Sequence, residues 1–229
     1  MSLASPLNIE KSSAVRVSEV VHLTRIFEPK YNIGILKRQV SSDLSHFVHQ
    51  ARHQVEFHLK QSFTLTDGVK DALSEVMPAS AMALEGHEKF IQDITSLIDL
   101  YGLLVDTNQV GIRLLSMNKA MCPGFHVDRV GIRLICTYDG PGTQWLENVH
   151  ADRSKLGYIA QGQSDENSGL IRPDAVIQSL QPYEVGLLKG EAWKSFDGHD
   201  NHGNGIIHRS PAMEGCASKR IVLTLDSLD

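Results

Sequence analysis

The second half of the chain contains a series of short segments rich in β-branched residues, separated by turn residues and with no helical pattern between them. A doubly wound sheet would need a helix between successive strands, so this series excludes that fold. Several short strands in succession predict a sandwich or barrel instead. The predicted strands begin after residue 109 and cover residues 110–117, 130–138, 175–180, 185–188, 205–208 and 220–225.

The first half of the chain predicts helices. Apolar residues between 43 and 59 fall within one narrow arc at 100° per residue, and Ser41, Ser42 and Asp43 precede them as candidate N-caps. Residues 85–104 have the same periodicity, with Gly102 as a candidate stop. A short strand is predicted at residues 32–38. The expected class is α+β: an N-terminal helical region, 1–108, packs on a β core, 109–229, in one integrated domain.

Composition excludes several classes of function. The net charge is −5, so the chain lacks the basic excess of a general nucleic-acid binder. No apolar run approaches the roughly 18 residues that a membrane span needs, and residues 1–6 lack the basic and apolar regions of a signal peptide. Three scattered cysteines, Cys122, Cys136 and Cys216, indicate reduced thiols. We expect a cytoplasmic protein with neither a nucleic-acid nor a membrane partner, and the sequence carries no signal for oligomeric state.

Two histidines and an aspartate form the principal candidate site. His126 and Asp128 are two residues apart, so in a strand they would face the same side. His208 follows about 80 residues later in the β region. Two histidines and one carboxylate form a facial triad, which typically holds ferrous iron and leaves adjacent positions open for oxygen and a bidentate ligand. We predict that all three residues are metal ligands and catalytic. The alternative is a simple hydrogen-bonded pair, with His208 in a surface turn.

Arg220 opens the last predicted strand, and antiparallel pairing with the strand of His208 would place it beside the triad. A guanidinium binds a carboxylate through two parallel hydrogen bonds, which suits a carboxylate cosubstrate. Arg133 and Tyr138 lie on the predicted strand that follows His126 and Asp128, and they are the other candidate cofactor-binding residues. Arg133 would meet either a ligand carboxylate or an internal ion-pair partner, and Arg220 also has a structural ion-pair interpretation.

Further candidates lie outside this set. Cys122 is either a fourth ligand, which would favour zinc, or a small buried hydrophobe. His199 and His202 lie in a polar loop, where either substrate contact or plain solvation fits. His46, His49 and His53 share one helical stripe, which fits either a surface metal patch or ordinary polar surface; the stripe belongs to the first predicted helix.

Several of these segments resemble a bacterial family called domain of unknown function 1826, over most of the chain from about His22. They are Cys122-Pro-Gly-Phe-His-Val-Asp, Arg133-Leu-Ile-Cys-Thr-Tyr-Asp-Gly-Pro-Gly-Thr-Gln-Trp-Leu, Lys189-Gly-Glu and Gly205-Ile-Ile-His-Arg-Ser-Pro. Genes of this family often lie near zinc-homeostasis genes, which implies a role in metal biology.

The β half also resembles, more distantly, the double-stranded β-helix of iron- and 2-oxoglutarate-dependent oxygenases. This resemblance implies a jelly-roll or cupin-like barrel, with His126, Asp128 and His208 as iron ligands and Arg220 as the cosubstrate anchor. A common version of that pattern has serine two residues after the arginine, whereas this chain has Val222 there.

Two functions from different classes follow. The first is a mononuclear non-haem iron oxygenase, with or without 2-oxoglutarate as cosubstrate, acting on a small molecule or a protein. The alternative is a non-catalytic zinc-binding protein linked to metal homeostasis. Open coordination positions beside a basic pocket favour the first, and a closed shell of four protein ligands favours the second. A third interpretation is a scaffold without metal.

Overall fold

Ten strands form two sheets in the computed structural model, which describes residues 12–65, 68–157, 162–215 and 219–228. Residues 1–6 and Cys216, which the sequence predictions used, lie outside this part of the chain. The strands are β1 Ala14–Val17, β2 Ile33–Leu36, β3 His58–Thr64, β4 Gln109–Met117, β5 Ile132–Asp139, β6 Gln144–Leu146, β7 Gln178–Ser179, β8 Val185–Lys189, β9 Ile207–Arg209 and β10 Arg220–Ser227.

The large sheet has seven strands in the order β1-β2-β8-β5-β10-β4-β3. Its pairs are antiparallel except β1 with β2. Three of these strands come from the first half of the chain, and the sequence predicted only β2 among them. The small sheet has the order β7-β6-β9. Its strand β6 lies in a segment whose glycine and proline content indicates a turn.

Four α-helices are α1 Ser42–Gln54, α2 Val69–Val76, α3 Ala79–Met82 and α4 His87–Val105, and 3₁₀ helices cover Val20–Phe27, Asn148–His150 and Arg153–Lys155. Ser41 is the N-cap of α1, because its side chain accepts a hydrogen bond from the Leu44 N–H at 3.2 Å. Within the described residues, no helix is long and apolar enough to cross a membrane.

One predicted helix end was wrong, and the candidate stop of the other helix has a different role. The helix predicted to reach residue 59 ends at Gln54, because the Phe57 N–H bonds Ser116 Oγ at 3.0 Å and the chain then pairs with β4 as β3. Apolar Leu59 fits the helical arc and the strand face equally, so periodicity misassigned it. Gly102 does not stop α4, which ends at Val105 and is followed by its C-cap, Asp106, with φ 53°. A Cβ on Gly102 would lie 2.1 Å from Leu65 Cδ1, so this glycine permits close packing.

The helices pack on one face of the large sheet, as the sequence predicted. Phe90 of α4 stacks on Phe47 of α1 with ring centroids 4.7 Å apart and meets Tyr138 of β5 edge-on at 4.9 Å. Buried residues of the helices and of the central strands form one continuous apolar cluster. In β5, the side chains of Leu134, Cys136 and Tyr138 point into it.

The small sheet covers the opposite face. Trp145, Leu180 and Ile206 pack there against strand residues of the large sheet, including Ile135 and Val222. The large sheet is therefore buried on both faces, and successive residues of each strand enter different environments. The second environment contains the candidate site.

One close backbone approach fixes the segment that carries Asp128. The Gly190 N–H bonds the Gly131 carbonyl at 2.8 Å, and the Glu191 N–H bonds the Asp128 carbonyl at 2.9 Å. A Cβ on Gly190 would lie 2.2 Å from the Val130 carbonyl oxygen and 2.8 Å from that of Asp128. Only glycine allows this contact, because any larger residue would displace the backbone that positions the carboxylate.

Replacing this glycine tests that constraint. We expect Gly190→Ala to lower the free energy of unfolding by about 1–3 kcal/mol, the usual cost of overpacking, and also to weaken metal binding. The matched control is Gly131→Ala, because a Cβ there meets no heavy atom within 4 Å. Urea unfolding and metal titration of both variants would measure the effects. Equal behaviour of the two variants would contradict this role for Gly190.

Candidate metal site

His126, Asp128 and His208 converge on one point. One ligand atom from each lies within 4.8 Å of the other two. His208 Nε2 is 3.3 Å from Asp128 Oδ2, and His126 Nε2 is 3.8 Å from Asp128 Oδ1. Within the described ranges, this is the one group of three or more histidine, cysteine or acidic side chains that meets such a condition. The convergence predicted from the sequence is therefore present.

The two histidines are positioned by one pair of backbone hydrogen bonds. The His126 N–H bonds the His208 carbonyl at 3.0 Å, and the His208 N–H bonds the His126 carbonyl at 2.9 Å. This isolated antiparallel bridge extends the small sheet beyond β9. The sequence argument assumed that His126 and Asp128 share a strand. The structure instead places Asp128 in the irregular segment that follows the bridge.

Backbone carbonyls fix the tautomer of both imidazoles. His126 Nδ1 donates to the Gly124 carbonyl at 3.0 Å, and His208 Nδ1 donates to the Ile206 carbonyl at 3.1 Å. A carbonyl oxygen only accepts, so each Nδ1 carries a proton and each Nε2, which faces Asp128, is the ring nitrogen left for a metal. This is the usual outer-sphere arrangement of metal-binding histidines.

Arg133 holds the carboxylate. Its Nη1 donates to Asp128 Oδ2 at 2.6 Å, while its Nε and Nη2 donate to Asp226 at 2.7 and 2.9 Å. Its donors therefore go to protein carboxylates, which is the ion-pair alternative that the sequence left open. Burial alone would raise the pKa of Asp128, but His208, Arg133 and His126 lower it to about 2. The carboxylate is therefore charged at neutral pH, with Oδ1 free of any arginine contact.

Arg220 enters the same cavity from the large sheet. Its side chain is 2% exposed, and its Nη2 donates to Thr137 Oγ1 at 3.1 Å and Thr143 Oγ1 at 2.8 Å. Its buried Nε has no hydrogen-bond partner, and within the described residues no carboxylate pairs with it. Burial lowers the pKa of Arg220 to about 10, which still leaves it charged at pH 7.

The route by which Arg220 reaches the triad differs from the sequence argument. β10 pairs with β4 and β5, whereas β9, which carries His208, belongs to the small sheet. The predicted pairing of the last two strands was therefore wrong. Arg220 and His208 line one cavity of about 70 Å³, because the sheets face each other across it. Ligand pockets usually reach about 300 Å³ or more, so a larger ligand must extend through the mouth at Met117, Met121 and Cys122.

Tyr138 is not brought to the site. Period-two alternation in β5 directs Arg133 towards the cavity and Tyr138 towards the helices. The Tyr138 hydroxyl donates to Asp93 Oδ2 of α4 at 2.6 Å, beside the Arg38–Asp93 ion pair. Burial raises the pKa of this phenol. Tyr138 and the cavity thus lie on opposite faces of the sheet.

We call His126, Asp128 and His208 the metal group. The remaining histidine and cysteine candidates lie outside it. Cys122 is exposed at the cavity mouth, and the group of converging ligands does not include it. His199 and His202 are exposed and do not line the cavity.

On α1, Arg52 approaches two imidazoles of the histidine stripe. Its Nε donates to His53 Nε2 at 2.9 Å, and its Nη2 is 3.1 Å from His49 Nε2. His46 Nε2 is 2.6 Å from the Gln50 amide nitrogen. The ring nitrogens that a metal would need already have polar partners, which favours the polar-surface interpretation.

Sequence reasoning missed two residues of the site, Arg113 and Asp226. Arg113 Nη2 donates at 2.7 Å to Asp226 Oδ2, the oxygen that also binds Arg133. A signal was present, because the pentapeptide Val-Gly-Ile-Arg-Leu occurs at residues 110–114 and again at 130–134. These repeats lie in β4 and β5 on either side of β10, so their arginines converge on one β10 carboxylate.

Cavity size alone would place the candidate site in a different cleft. A larger cleft of about 950 Å³ lies between the end of α4 and the segment around Trp193, and none of the three metal-group side chains lines it. The chemistry of the donor set therefore locates the site. Two neutral imidazoles and one carboxylate, with fixed tautomers and a second-sphere arginine, fit a divalent first-row metal such as iron or zinc.

The model of the family described as a protein of unknown function, DUF1826, matches residues 18–226. The chain belongs to the DUF1826 family. A search of curated proteins finds no significant match to this DUF1826 protein.

Solved structures of oxygenases are similar to this DUF1826 chain. A Caulobacter crescentus protein described as a 2OG-Fe(II) oxygenase family protein aligns with TM-score 0.51 and 12% identity, over 95% of this chain and 87% of that chain. The rice dioxygenase for auxin oxidation aligns at 0.47 and 11%, over 94% and 82%. A full-length Neurospora crassa protein, solved in complex with alpha-KG and 5-formyluracil, aligns at 0.47 and 10%, over 96% and 87%. The mixed α+β fold, with its two sheets, matches that of the Caulobacter protein.

Replacing Tyr138 tests the separation of the two faces. We expect Tyr138→Phe to lower the free energy of unfolding by about 1–3 kcal/mol, because it removes a buried hydrogen bond to a carboxylate. Its affinity for 2-oxoglutarate should equal that of wild type. Urea unfolding and calorimetric titration would measure the two quantities. Loss of 2-oxoglutarate affinity at unchanged stability would instead indicate that Tyr138 belongs to the binding site.

The pH below which metal affinity falls should be set by protonation of the two histidines. Burial lowers the pKa of His126, and the neighbouring His208 lowers it further. Metal must compete with protons for imidazole, so affinity should be level from about pH 8 to 6.5 and fall only below the ordinary histidine pKa. Competition with a chromophoric chelator between about pH 5 and 8 would measure this. A decline beginning above pH 7 would contradict it, since Asp128 stays ionised throughout.

Proposed function

We propose that this chain is a mononuclear non-haem iron oxygenase that uses 2-oxoglutarate as cosubstrate. One observation carries the proposal: His126 and His208, which converge with Asp128, line one cavity together with Arg220, whose buried guanidinium pairs with no carboxylate among the described residues. A metal site alone needs no such arginine. A buried guanidinium without an anion is costly to maintain, so its presence beside the triad calls for an anionic ligand.

The three side chains would hold the metal and leave other positions free. Three protein ligands occupy half of an octahedral shell. Ferrous iron, when bound, supplies the redox chemistry that activates dioxygen. The backbone carbonyls hold a proton on each Nδ1, so Nε2 is the ring nitrogen that each histidine would offer to the metal, and Arg133 occupies Asp128 Oδ2 so that Oδ1 is the carboxylate atom without an arginine partner.

Arg220 would bind the carboxylate of 2-oxoglutarate that lies farther from the metal. Two hydroxyls, from Thr137 and Thr143, already orient its Nη2, and the unpartnered Nε gives it an open donor. These threonines also supply the hydroxyl that the common oxygenase pattern places two residues after the arginine, where this chain has Val222. Leu115, Ile135 and Val222 line the same cavity and limit its water, which strengthens charge-assisted bonds inside it.

The non-catalytic zinc-binding alternative calls for a fourth protein ligand. Within the described residues, the metal group has three members, and Cys122 is not among them. The open coordination shell and the basic cavity together favour the oxygenase.

Anaerobic metal loading followed by turnover tests the proposal. Protein loaded with Fe(II) and supplied with O₂ and 2-oxoglutarate should form succinate, even without a substrate, at a rate above that of His208→Ala. Calorimetric titration of the zinc-loaded form should show 2-oxoglutarate binding. Protein that binds zinc tightly but neither binds 2-oxoglutarate nor forms succinate would overturn the assignment in favour of the zinc alternative.

Arg220 variants should separate cosubstrate binding from metal binding. We expect Arg220→Met to weaken 2-oxoglutarate binding at least about 10-fold, because a hydrogen bond to a charged group contributes roughly 1.5–3 kcal/mol. Metal affinity should change little, since Arg220 is not a ligand. Arg220→Lys should recover only part of the affinity, because it keeps the charge without the planar fork.

The stability of the Arg220 variant provides the control. Arg220→Met should leave the unfolding free energy of the ligand-free protein unchanged or higher, because it removes an uncompensated buried charge. Arg209→Met is the matched variant in the same cavity, where the arginine pairs with Asp165 and Glu166 at 3.1 and 3.0 Å. It should be destabilised, because Asp165 would stay buried without a cation. Destabilisation of both variants alike would assign Arg220 a structural role.

A further inference from the structure

The charged side chains lining the metal cavity, among the described residues, are all arginines: Arg113, Arg133, Arg209 and Arg220. The chain as a whole carries a net charge of −5, so this concentration of positive charge is local. Each arginine needs a negative partner, and those whose partner is missing indicate what the cavity binds.

Three of the four arginines have a carboxylate partner or an assigned ligand. Arg133 pairs with Asp128 and Asp226, and Arg209 pairs with two acidic residues. Arg220 is assigned to the cosubstrate by the function proposed above. Arg113 has no carboxylate of its own, because the Asp226 oxygen that it contacts at 2.7 Å also accepts from Arg133 at 2.9 Å.

Arg113 lies where a substrate would enter. Its side chain is 41% exposed, and it lines both the metal cavity and a shallow groove of about 370 Å³ that leads outward. Lys60 of β3 lies directly opposite Arg113 in the antiparallel register and lines the same groove. Two like charges at directly opposed positions destabilise a sheet, so an anion between them would relieve an unfavourable contact.

We propose that Arg113, assisted by Lys60, binds an anionic group of the substrate, so that the substrate class is an organic acid or phosphate ester. This inference rests on the oxygenase function, because it assumes that the cosubstrate occupies Arg220. Arg113 is a specificity-determining residue, whose Nη2 is held by Asp226 and whose side chain lines the groove. Asp226 also binds Arg133, which binds the metal ligand Asp128, so one ion-pair series runs from the groove to the triad.

A simple anion tests the Arg113 site directly. The probe is methylphosphonate, followed by ³¹P line broadening on zinc-loaded protein saturated with 2-oxoglutarate, so that Arg220 is occupied. We expect Arg113→Gln to weaken binding at least about 10-fold, as for loss of a charge-assisted pair, and Lys60→Gln to weaken it less. Arg113→Lys should retain part of the affinity. Lys89→Gln removes an equal charge from the exposed face of α4 and should behave as wild type.

The Arg113→Gln variant is expected to fold, since Asp226 keeps both of its bonds from Arg133. Equal binding of methylphosphonate by Arg113→Gln and Lys89→Gln would overturn the inference.

An activity assay with a panel of acids and their matched neutral amides tests the same inference. With Fe(II) and 2-oxoglutarate present, acids should stimulate succinate formation more than their amides, and Arg113→Gln should raise the KM for the acid while leaving that for the amide unchanged. Equal stimulation by acids and amides would contradict the inference. Failure of the oxygenase function itself would be distinct, because wild-type protein would then bind no 2-oxoglutarate whatever the result with methylphosphonate.

Discussion

The Arg133 guanidinium, bonded on one side to Asp128 and on the other to Asp226, is the interaction on which the rest of the site depends. It lies on a strand that is covered by helices on one face and by the small sheet on the other. A charge in that position is tolerated only with good hydrogen-bonding partners. The partners it has are a residue of the irregular segment after His126 and a residue of the last strand, so one side chain ties the metal group to the centre of the large sheet.

The small sheet provides the second half of this arrangement. The His126–His208 bridge extends it by one pair, and backbone carbonyls two residues before each histidine set the ring tautomers. Neither device depends on a long-range side-chain contact. The metal group is therefore built from backbone geometry on one sheet and from a carboxylate that the other sheet holds, and the space between the sheets becomes the cavity that Arg220 enters.

The sequence predicted the local features well. Its strands β4, β5, β8, β9 and β10 were found close to where alternation and β-branching indicated, and Ser41 caps α1 as expected. The prediction failed where two periodicities coincide. Leu59 fits both a helix face and a strand face, so the predicted helix extended over the first two residues of β3, and β6 was hidden in a segment that its glycines indicate as a turn. The sequence prediction grouped Tyr138 with Arg133. The odd spacing between the two residues, however, places them on opposite faces of a strand.

The sequence by itself determined the candidate donor set, because imidazole and carboxylate side chains, as at His126, Asp128 and His208, are groups that bind divalent metals, and it determined the chain's alternation of cavity-facing and helix-facing residues. Only the tertiary structure decided which strands are neighbours. It separated β9 and β10 into different sheets, brought the arginines of two identical pentapeptides onto Asp226, and left Arg220 with no carboxylate partner among the described residues. Strand order depends on the packing of distant segments, and local periodicity carries no record of which segments those are.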